Sequence, residues 1–553
     1  MYAGITVCLV LVHACRSKRT QSEHIADTPE ELQQKTKSFI SKLLQQTAAG
    51  GGSRTDSRLH LNQPAFCKYL YEKNGNTPLW SEQGNWKRQA DSLFGFIRES
   101  KLYGLFSQDY HANELFMIHR LLEADSLNKT AKKDAMIWAK SDVMLTDAFV
   151  QILKDIKLGR LPDDSITLNK DTLLTGDFFL QQFNTLQQQG SMTAQVQVLE
   201  PRHRGYQQLK KGILKFLQQA DFREHTRVPA KNDPGYKIAL QKRLFEGGYI
   251  VFDSVMADSA QLAEAVKKFQ NEKGLLVDGR AGEGTIRMLN LSDAEKFIRV
   301  AISLDKYKKL PPEMPSRYIW VNAASNNLEV VEDTAVKFSS RIICGKAKTR
   351  TPLLNGSISQ LITYPQWVPP PSIVTKEILP AVKKNPDYLA RKGFSLLDKD
   401  GNEVDPYSVD WSKYNKGVPY RIVQGSGDAN ALGVLKFHFD NKYSVYLHDT
   451  NQRYLFGNAM RSLSHGCVRV QEWQKLAYYI LRNDSLHSSG SYHMADSLKT
   501  WLHQKIKRHI MVKKKMPVYI RYITSEARSG NLVFYDDVYG EDKMIREKFF
   551  AGK

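Results

Sequence analysis

The segment VLKFHFDNKYSVYLHDT, from Val434 to Thr450, alternates apolar and polar residues on both sides of a short turn. This period of two predicts a β-hairpin, because successive side chains of a strand point to opposite faces of a sheet. The second strand of the hairpin would bring Tyr446 and His448 to the same face. We therefore expect a β-rich domain around this hairpin.

A cysteine follows in the next part of the sequence, SLSHGCVRV, which runs from Ser462 to Val470. The loop between the two segments can return Cys467 to the side of His448. A thiol is a strong nucleophile only as thiolate, and a neighbouring base promotes that form. Gly466 permits a tight turn before the sulfur, and the backbone N–H groups of Gly466 and Cys467 could stabilise an oxyanion. This pattern suits acyl transfer to or from an amide through a thioester.

Two further side chains belong to the same hypothesis. Arg469 lies two residues after the cysteine and could bind a carboxylate through two hydrogen bonds. Asp449 could orient His448 through its side chain or through its backbone carbonyl, and the sequence leaves both possibilities open.

Two other interpretations of these residues stay open. Cys467 could be an inert buried thiol, which is the commoner fate of a cysteine. Cys467, His448 and His465 could instead bind a metal, but no fourth ligand stands out in the sequence. We therefore predict neither a metal nor a cofactor.

The composition indicates a multidomain globular protein. The chain has 553 residues, of which 42% are hydrophobic and 25% are charged, and one core rarely grows beyond about 250–300 residues. The net charge of +21 favours attraction to an anionic polymer or surface, or is only a solvated basic surface. Neither zinc-finger spacing nor an aromatic-basic RNA motif is present, so nucleic acid is not a predicted partner.

The N-terminus is typical of an exported protein. The apolar stretch ITVCLVLVHAC ends in Ala14 before Cys15, which predicts a signal segment with lipid attachment at Cys15. Of the other cysteines, Cys67, Cys344 and Cys467 are too few and too widely spaced for a disulfide framework. Cys344 lies in an apolar strand pattern, so we expect it to be an inert thiol.

The fold class that these patterns predict is multidomain α+β. Helical periodicity dominates the first half, and strand periodicity begins near residue 317. The predicted organisation is a signal segment at 1–15, a flexible linker at 16–60, a helical scaffold at 61–230, a three-helix module at 231–292, a linking helix at 293–316, a β-rich catalytic domain at 317–485 with a capping insertion at about 379–433, and a C-terminal extension at 486–553 that packs on the scaffold or the catalytic domain.

Two stretches resemble known families. The pattern LQKRLFEGGY…AVKKFQNEKGLLVDGRAGEGT resembles the peptidoglycan-binding type 1 domain. The pattern His448-Asp-Thr…Ser464-His-Gly-Cys-Val-Arg469 resembles the active-site signature of the YkuD-type L,D-transpeptidases. The order of modules over residues 62–545 resembles the large multidomain L,D-transpeptidases of Gram-negative bacteria. Asp449 stands where many smaller members have glycine, which leaves the third member of a triad open.

The resemblance implies a concrete reaction. Cys467 would attack the carbonyl of the third residue, diaminopimelate, in a tetrapeptide stem, and the terminal D-Ala would leave while His448 relays the proton. The amine of a neighbouring diaminopimelate would then resolve the thioester and give a 3→3 cross-link. Ser464, His465 and Gly466 would shape the oxyanion loop.

The resemblance also implies partners and a location. Arg469 would bind the carboxylates of the stem, and Tyr446 would line the donor cleft, although a packing aromatic fits its pattern equally well. The partners would be peptidoglycan stem peptides and glycan, and the location would be the periplasm, with a possible lipid anchor on Cys15. A carboxypeptidase or other hydrolase acting on stem peptides, and a non-enzymatic cell-wall anchor, are the alternative functions.

Overall fold

The computed structural model describes residues 23–48, 59–127, 132–169, 174–251, 257–272, 275, 277–485 and 494–553. The predicted signal segment, with Cys15, lies outside these residues. Within the described ranges, no helix is both long and apolar enough to cross a membrane.

The N-terminal region is helical and packs around one long buried helix. Its helices are α1 (Pro29–Ala48), α2 (Pro64–Lys73), α3 (Arg88–Arg98), α4 (Ala112–Leu127), α5 (Ala135–Lys157), α6 (Gly176–Gln189), α7 (Met192–Leu199) and α8 (Arg204–Leu217). Its strands, β1 (Ile25–Ala26), β2 (Ser81–Glu82), β3 (Asn85–Trp86) and β4 (Lys133–Asp134), form two ladders in which β1 pairs with β4 and β2 with β3. The central helix α5 is capped by Asp134, the residue before it, whose carboxylate accepts hydrogen bonds from two N–H groups of the first turn.

Helix α1 corrects the prediction of a flexible linker at 16–60. Leu32, Phe39 and Ile40 are 2%, 5% and 0% exposed and belong to the core of the helical region. The helix packs on α5. Its sequence is polar on average, and this composition concealed an apolar stripe at helical spacing.

The next three helices form a small module with its own core. They are α9 (Tyr236–Glu246), α10 (Ser259–Glu272) and α11 (Glu283–Leu289). Its central buried side chains are Leu240, Leu244, Val266 and Phe269. The first two lie four residues apart on α9 and the last two lie three apart on α10, which is the spacing of one face of an amphipathic helix.

Helix α12 (Asp293–Lys308) connects the helical region to the β-rich domain. Phe297 packs against Phe106 of the N-terminal region. Tyr307 stacks on Trp320 of the sheet, with ring centroids 5.9 Å apart. One helix therefore contributes to the cores on both sides of it.

The C-terminal half contains most of the strands. They are β5 (Arg317–Asn322), β6 (Asn327–Glu332), β7 (Ala335–Gly345), β8 (Leu354–Thr363), β9 (Phe394–Leu397), β10 (Arg421–Gln424), β11 (Leu435–His438), β12 (Leu447–His448), β13 (Ser462–Ser464), β14 (Val468–Val470), β15 (Arg508–Arg521), β16 (Ser525–Arg528) and β17 (Asn531–Phe534). Its helices are α13 (Pro371–Ile373), α14 (Leu379–Lys384), α15 (Asp387–Arg391), α16 (Trp473–Ser485), α17 (Met494–His503) and α18 (Glu541–Phe549).

Among the described residues, nine of these strands form one sheet, in the order β13-β7-β14-β12-β11-β8-β15-β5-β6. Strand β7 also pairs with β6, so the sequence of pairings closes on itself. The predicted hairpin is present as β11 and β12, with Phe437 opposite Leu447. Both of these side chains are fully buried in the core of the sheet.

Strand β15 corrects the prediction of a C-terminal extension at 486–553. It lies inside the sheet, parallel to β5 and antiparallel to β8, and Val518 and Ile520 are fully buried. The register shifts between Met511 and Met516, where the sequence contains a run of three lysines. The irregularity interrupts the apolar alternation that would have predicted a strand.

The insertion between β8 and β11 has its own small core. Strands β9 and β10 pair in it, and Ile378, Leu379, Val382 and Ile422 are buried together. Ile373 belongs to the same cluster, so this unit begins before the predicted position 379. The multidomain α+β class and its β-rich domain are confirmed.

Candidate active site

The candidate site lies on three adjacent strands of the large sheet, β11, β12 and β14. Lys436 is opposite His448, and His448 is opposite Arg469. Residues that face each other across paired strands point to the same side of the sheet. The three basic side chains therefore form a row, with the imidazole in the middle.

The nucleophile lies next to this row. Val468 N–H donates a hydrogen bond to the Tyr446 carbonyl at 3.1 Å, and Val468 is opposite Leu447. Cys467 is consequently beside Tyr446, on the face that carries His448 and diagonal to it. Cys467 is also partly exposed, so this residue is not sealed in the core.

The turn before the sulfur is held by hydroxyl groups. Gly466 has a φ of 126°, which favours glycine. Ser464 Oγ accepts a hydrogen bond from Gly466 N–H at 3.1 Å and donates one to the Cys467 carbonyl at 2.6 Å. Thr351 donates to the Gly466 carbonyl at 2.8 Å. The Gly466 N–H is thus already engaged, and of the two predicted oxyanion donors the N–H of Cys467 is the better candidate.

Burial and the neighbouring groups change the pKa of the Cys467 thiol in opposite directions. Burial raises the pKa of Cys467, whereas the backbone N–H and hydroxyl of Tyr446 lower it, followed by the charges of Lys436 and Arg469. Burial has the largest effect, so the pKa of Cys467 lies above its ordinary value, while two polar donors and two cations lie near enough to stabilise the thiolate once it forms.

His448 is buried and neutral. Burial and then the charge of Arg469 lower the pKa of His448 to about 3, although the carbonyls of Asp449 and Leu432 act in the opposite direction. Its Nδ1 is buried and has no hydrogen-bond partner among the described residues. A neutral imidazole can accept a proton, which is the form that a general base needs.

The side chain of Asp449 does not face the imidazole. Its buried carboxylate accepts hydrogen bonds from Val434 N–H at 3.1 Å and from Arg453 at 2.7 Å. A Cβ on Gly433, whose φ is 62°, would overlap this carboxylate. Of the two ways left open for Asp449 to orient His448, the side chain is therefore disfavoured, because its carboxylate fixes the turn before β11. The backbone carbonyl is the alternative that remains.

Arg469 has a donor free for a ligand. One terminal nitrogen donates to Gln452 Oε1 at 2.8 Å. Its Nε is buried and has no hydrogen-bond partner among the described residues. A buried, unpaired guanidinium N–H is costly unless a ligand satisfies it, so Arg469 is suited to bind an anionic group.

Tyr446 is partly buried and belongs to the site. Its ring lies 5.7 Å from the His448 ring, and Lys436 Nζ lies 3.9 Å from the ring centroid. Burial, followed by the charge of Cys467, raises the pKa of the phenol, so the hydroxyl stays protonated and can donate toward the sulfur.

His465 lies outside this row. Its Nε2 contacts the carboxylate of Glu377, which belongs to the insertion. His465 therefore connects the loop before Cys467 to the insertion, and it does not converge with Cys467 and His448 as the metal-site interpretation requires.

The other described cysteines do not have such surroundings. Burial raises the pKa of Cys344 to about 12. Burial, reinforced by the charge of Asp147, raises the pKa of Cys67 well above its ordinary value. Both are fully buried, so Cys467 is the thiol suited to chemistry.

The candidate site is identified by the residues that it brings together and not by the size of a cavity. A cavity of about 630 Å³ lies elsewhere, lined by residues that include Arg317, Phe338 and Tyr479. It contains neither Cys467 nor His448.

Sequence reasoning missed Lys436. The residue lies on the first strand of the predicted hairpin, and pairing that strand with the second would have placed it next to His448. The signal was present, but it required the register of the hairpin, which the alternation alone does not fix.

Three parts of the chain match the sequence profiles of known families. Residues 316–520 match a family described as "L,D-transpeptidase catalytic domain". Residues 66–213 match one described as "Scaffold domain", and residues 238–289 match one described as "Putative peptidoglycan binding domain". The resemblances drawn from the two motifs are thereby confirmed.

A curated protein of Haemophilus influenzae is also similar to this chain. It is named "Putative L,D-transpeptidase" and is 34% identical over 227 residues, which are 41% of this chain. The match spans 45% of the length of that protein.

Two solved structures show more distant similarity. An L,D-transpeptidase from Stackebrandtia nassauensis has 15% identity, covers 56% of this chain and 100% of its own, and has a TM-score of 0.15. An L,D-transpeptidase from Xylanimonas cellulosilytica has 15% identity, covers 54% of this chain and 97% of its own, and has a TM-score of 0.14.

Proposed function

We propose that this chain, whose residues 316–520 belong to the L,D-transpeptidase catalytic domain family, forms 3→3 cross-links between the diaminopimelate residues of peptidoglycan stems. The observation that carries the proposal is the pairing of β12 with β14, which places the partly exposed Cys467 and the neutral His448 on one face.

The first half of the reaction forms an acyl-enzyme. The thiol proton of Cys467 moves to His448, and the sulfur attacks the carbonyl carbon of diaminopimelate in the donor stem. A C–S bond forms as the C–N bond to the terminal D-Ala breaks, and His448 returns the proton to the departing amine. The N–H of Cys467 stabilises the oxyanion that forms on the way.

The second half transfers the acyl group. The side-chain amine of a diaminopimelate on a neighbouring stem attacks the thioester and gives its proton to His448. A C–N bond forms, the C–S bond breaks, and the sulfur takes the proton back. No external oxidant, reductant or nucleotide is consumed, because the energy of the donor amide is retained in the thioester.

Electrostatics supports an acidic peptide as the substrate. Stem peptides carry free carboxylates, and the buried Nε of Arg469 lacks a partner among the described residues. The net charge of +21 favours accumulation on an anionic polymer. The domain at 238–289 would add a second attachment to the same polymer.

This function requires a location in the cell envelope, where peptidoglycan is found. A periplasmic site, with lipid attachment at Cys15, is the form that we propose. Labelling of cells with a palmitate analogue, with Cys15→Ala as the comparison, tests the anchor independently of the enzymatic activity.

The test of the function is an assay of products. The full chain is incubated with tetrapeptide-bearing disaccharide stems, and the products are separated by chromatography and identified by mass spectrometry. We expect a dimer joined through two diaminopimelate residues, together with free D-Ala. Release of D-Ala without dimers would overturn the proposal in favour of the hydrolase.

Two variants complete the assay. Cys467→Ala should abolish both products, whereas Cys344→Ala, which removes a fully buried thiol, should retain both in its folded fraction. Full activity of Cys467→Ala would contradict the assignment of the nucleophile.

A further inference from the structure

Lys436 occupies a position in the candidate site that the proposed reaction does not yet use. Its Cα is paired with that of His448, so the ammonium extends over the face that carries the imidazole and the thiol. The side chain is partly buried, and its Nζ lies 3.9 Å from the Tyr446 ring centroid. A cation at this distance over an aromatic ring is attracted to it, which favours this position of the ammonium.

In the described part of the chain, no carboxylate forms an ion pair with this ammonium. Among the described residues, Lys436 has no acidic partner within ion-pair distance, and the titratable or charged groups that face it are Tyr446, His448, Cys467 and Arg469. Burial lowers the pKa of Lys436, and the negative charge of Cys467 is what raises it. The anion that this ammonium can stabilise is therefore the thiolate.

His448 does not provide the positive charge in the resting state, because its imidazole is neutral. Arg469 is the other nearby cation, but one of its nitrogens donates to Gln452, and its guanidinium is proposed to bind a carboxylate of the stem. A carboxylate bound there would cancel much of the charge of Arg469 at the moment when the thiolate has to form.

We infer that Lys436 is a positioning residue whose ammonium stabilises the Cys467 thiolate and sets the pH at which the sulfur becomes reactive. The inference deepens the proposed function, but the thiolate can be measured without any cell-wall substrate. Failure of one therefore does not imply failure of the other.

The test is the rate at which a neutral alkylating agent, iodoacetamide, modifies Cys467 in the full chain as pH is varied. Peptide mass spectrometry reads the Cys467 peptide alone, so the other cysteines do not contribute. Lys436→Met should move the midpoint of the pH profile upward by about one pH unit, because a neighbouring opposite charge lowers a thiol pKa by one unit or more. At neutral pH the modification should slow about tenfold.

Two matched variants separate charge from structure. Lys436→Arg retains the cation and should restore a midpoint close to that of the parent protein. Lys442→Met removes an exposed lysine from the same hairpin and should leave the midpoint unchanged. An unchanged midpoint in Lys436→Met, or an equal shift in Lys442→Met, would overturn the inference.

A purely structural role predicts a different result. It would slow alkylation by the same factor at every pH and leave the midpoint in place. If circular dichroism shows that Lys436→Met is not folded, Lys436→Gln, which keeps a polar end on a similar stem, provides the same measurement with the same two outcomes.

Discussion

Single side chains determine which of the described cysteines can act. Cys67 and Cys344 are enclosed, and burial raises the pKa of each thiol. Burial also raises the pKa of the Cys467 thiol above its ordinary value, but this residue is partly exposed, and Tyr446, Lys436 and Arg469 around it each lower that pKa. The reactive sulfur is thus selected by its neighbours and not by the motif alone.

A substitution of Arg469 tests whether this single side chain recognises the donor. Replacement by Gln removes the guanidinium that is proposed to bind the stem carboxylate, and hydrogen bonds to charged groups contribute about 1.5–3 kcal/mol. We expect the KM for the donor to rise roughly tenfold to a hundredfold, as measured by steady-state release of D-Ala.

A donor whose free carboxylates are amidated is the control for this variant. Parent protein and Arg469→Gln should then have similar KM values, because the charge to be recognised is gone. Equal KM values for both proteins with the unmodified donor would contradict the role of Arg469.

At the scale of elements, the chemistry depends on a very short strand. Strand β12 has two residues, Leu447 and His448, and it is held between the antiparallel β11 and the parallel β14. The first partner brings Lys436 and the second brings Arg469 to the imidazole. A register shift of one residue would turn His448 into the core, so the pairing itself positions the base.

A substitution in helix α1 tests whether this element is part of the folded helical region. Ile40 is fully buried in the core of the helical region, and truncation of a buried Ile to Ala costs roughly 2–5 kcal/mol. Ile40→Ala should lower the free energy of unfolding of this region by that amount in a urea titration followed by circular dichroism.

Lys37→Ala, on the exposed side of the same helix, should change the free energy of unfolding by less than about 0.5 kcal/mol. If Ile40→Ala were equally harmless, residues 29–48 would behave as the linker that their composition suggested.

The local sequence pattern predicted the elements that follow simple alternation. It failed where the structure depends on how segments distant in sequence pair with each other. The hairpin of β11 and β12 and the return of Cys467 to its side followed from period and spacing. Strand β15 was missed because a register shift and a lysine run interrupt its alternation. The roles of Asp449 and Lys436 depend on register and on the direction of a side chain, neither of which a single sequence encodes locally.

At the scale of the whole molecule, two buried histidines connect stability to pH. Burial is the main cause that lowers the pKa values of His203 and His448 to about 3. In the unfolded chain both take up a proton near pH 6.5. The unfolded state thus binds more protons between about pH 6.5 and 3, so the stability that these residues confer is complete above this window and is lost as the pH falls through it.

Asp142, Glu329 and Asp155 act in the opposite sense, because burial raises the pKa of each carboxyl group. Asp155 is an example. Burial raises its pKa from 3.8 to about 6, so the folded state holds the extra proton between these values and its contribution is lost as the pH rises.

His203→Asn tests this linkage. His203 caps α8 by accepting a hydrogen bond from Gly205 N–H at 3.0 Å, and Asn is a good residue for that position. Between about pH 6 and 4, the free energy of unfolding of the variant should depend on pH less steeply than that of the parent, by about 1.4 kcal/mol per pH unit. The exposed His509, replaced by Asn, should leave the slope unchanged, and equal slopes for all three proteins would refute the linkage.

The central claim is that one sulfur, activated on the same face as a neutral imidazole, carries the acyl group. Mass spectrometry of the intact chain, mixed with a diaminopimelate tetrapeptide and quenched early, measures this directly. The account predicts a covalent adduct whose mass is that of the donor less D-Ala, located at Cys467 by peptide mapping and lost in Cys467→Ala. An adduct on another residue, or D-Ala release that proceeds undiminished without Cys467, would contradict it.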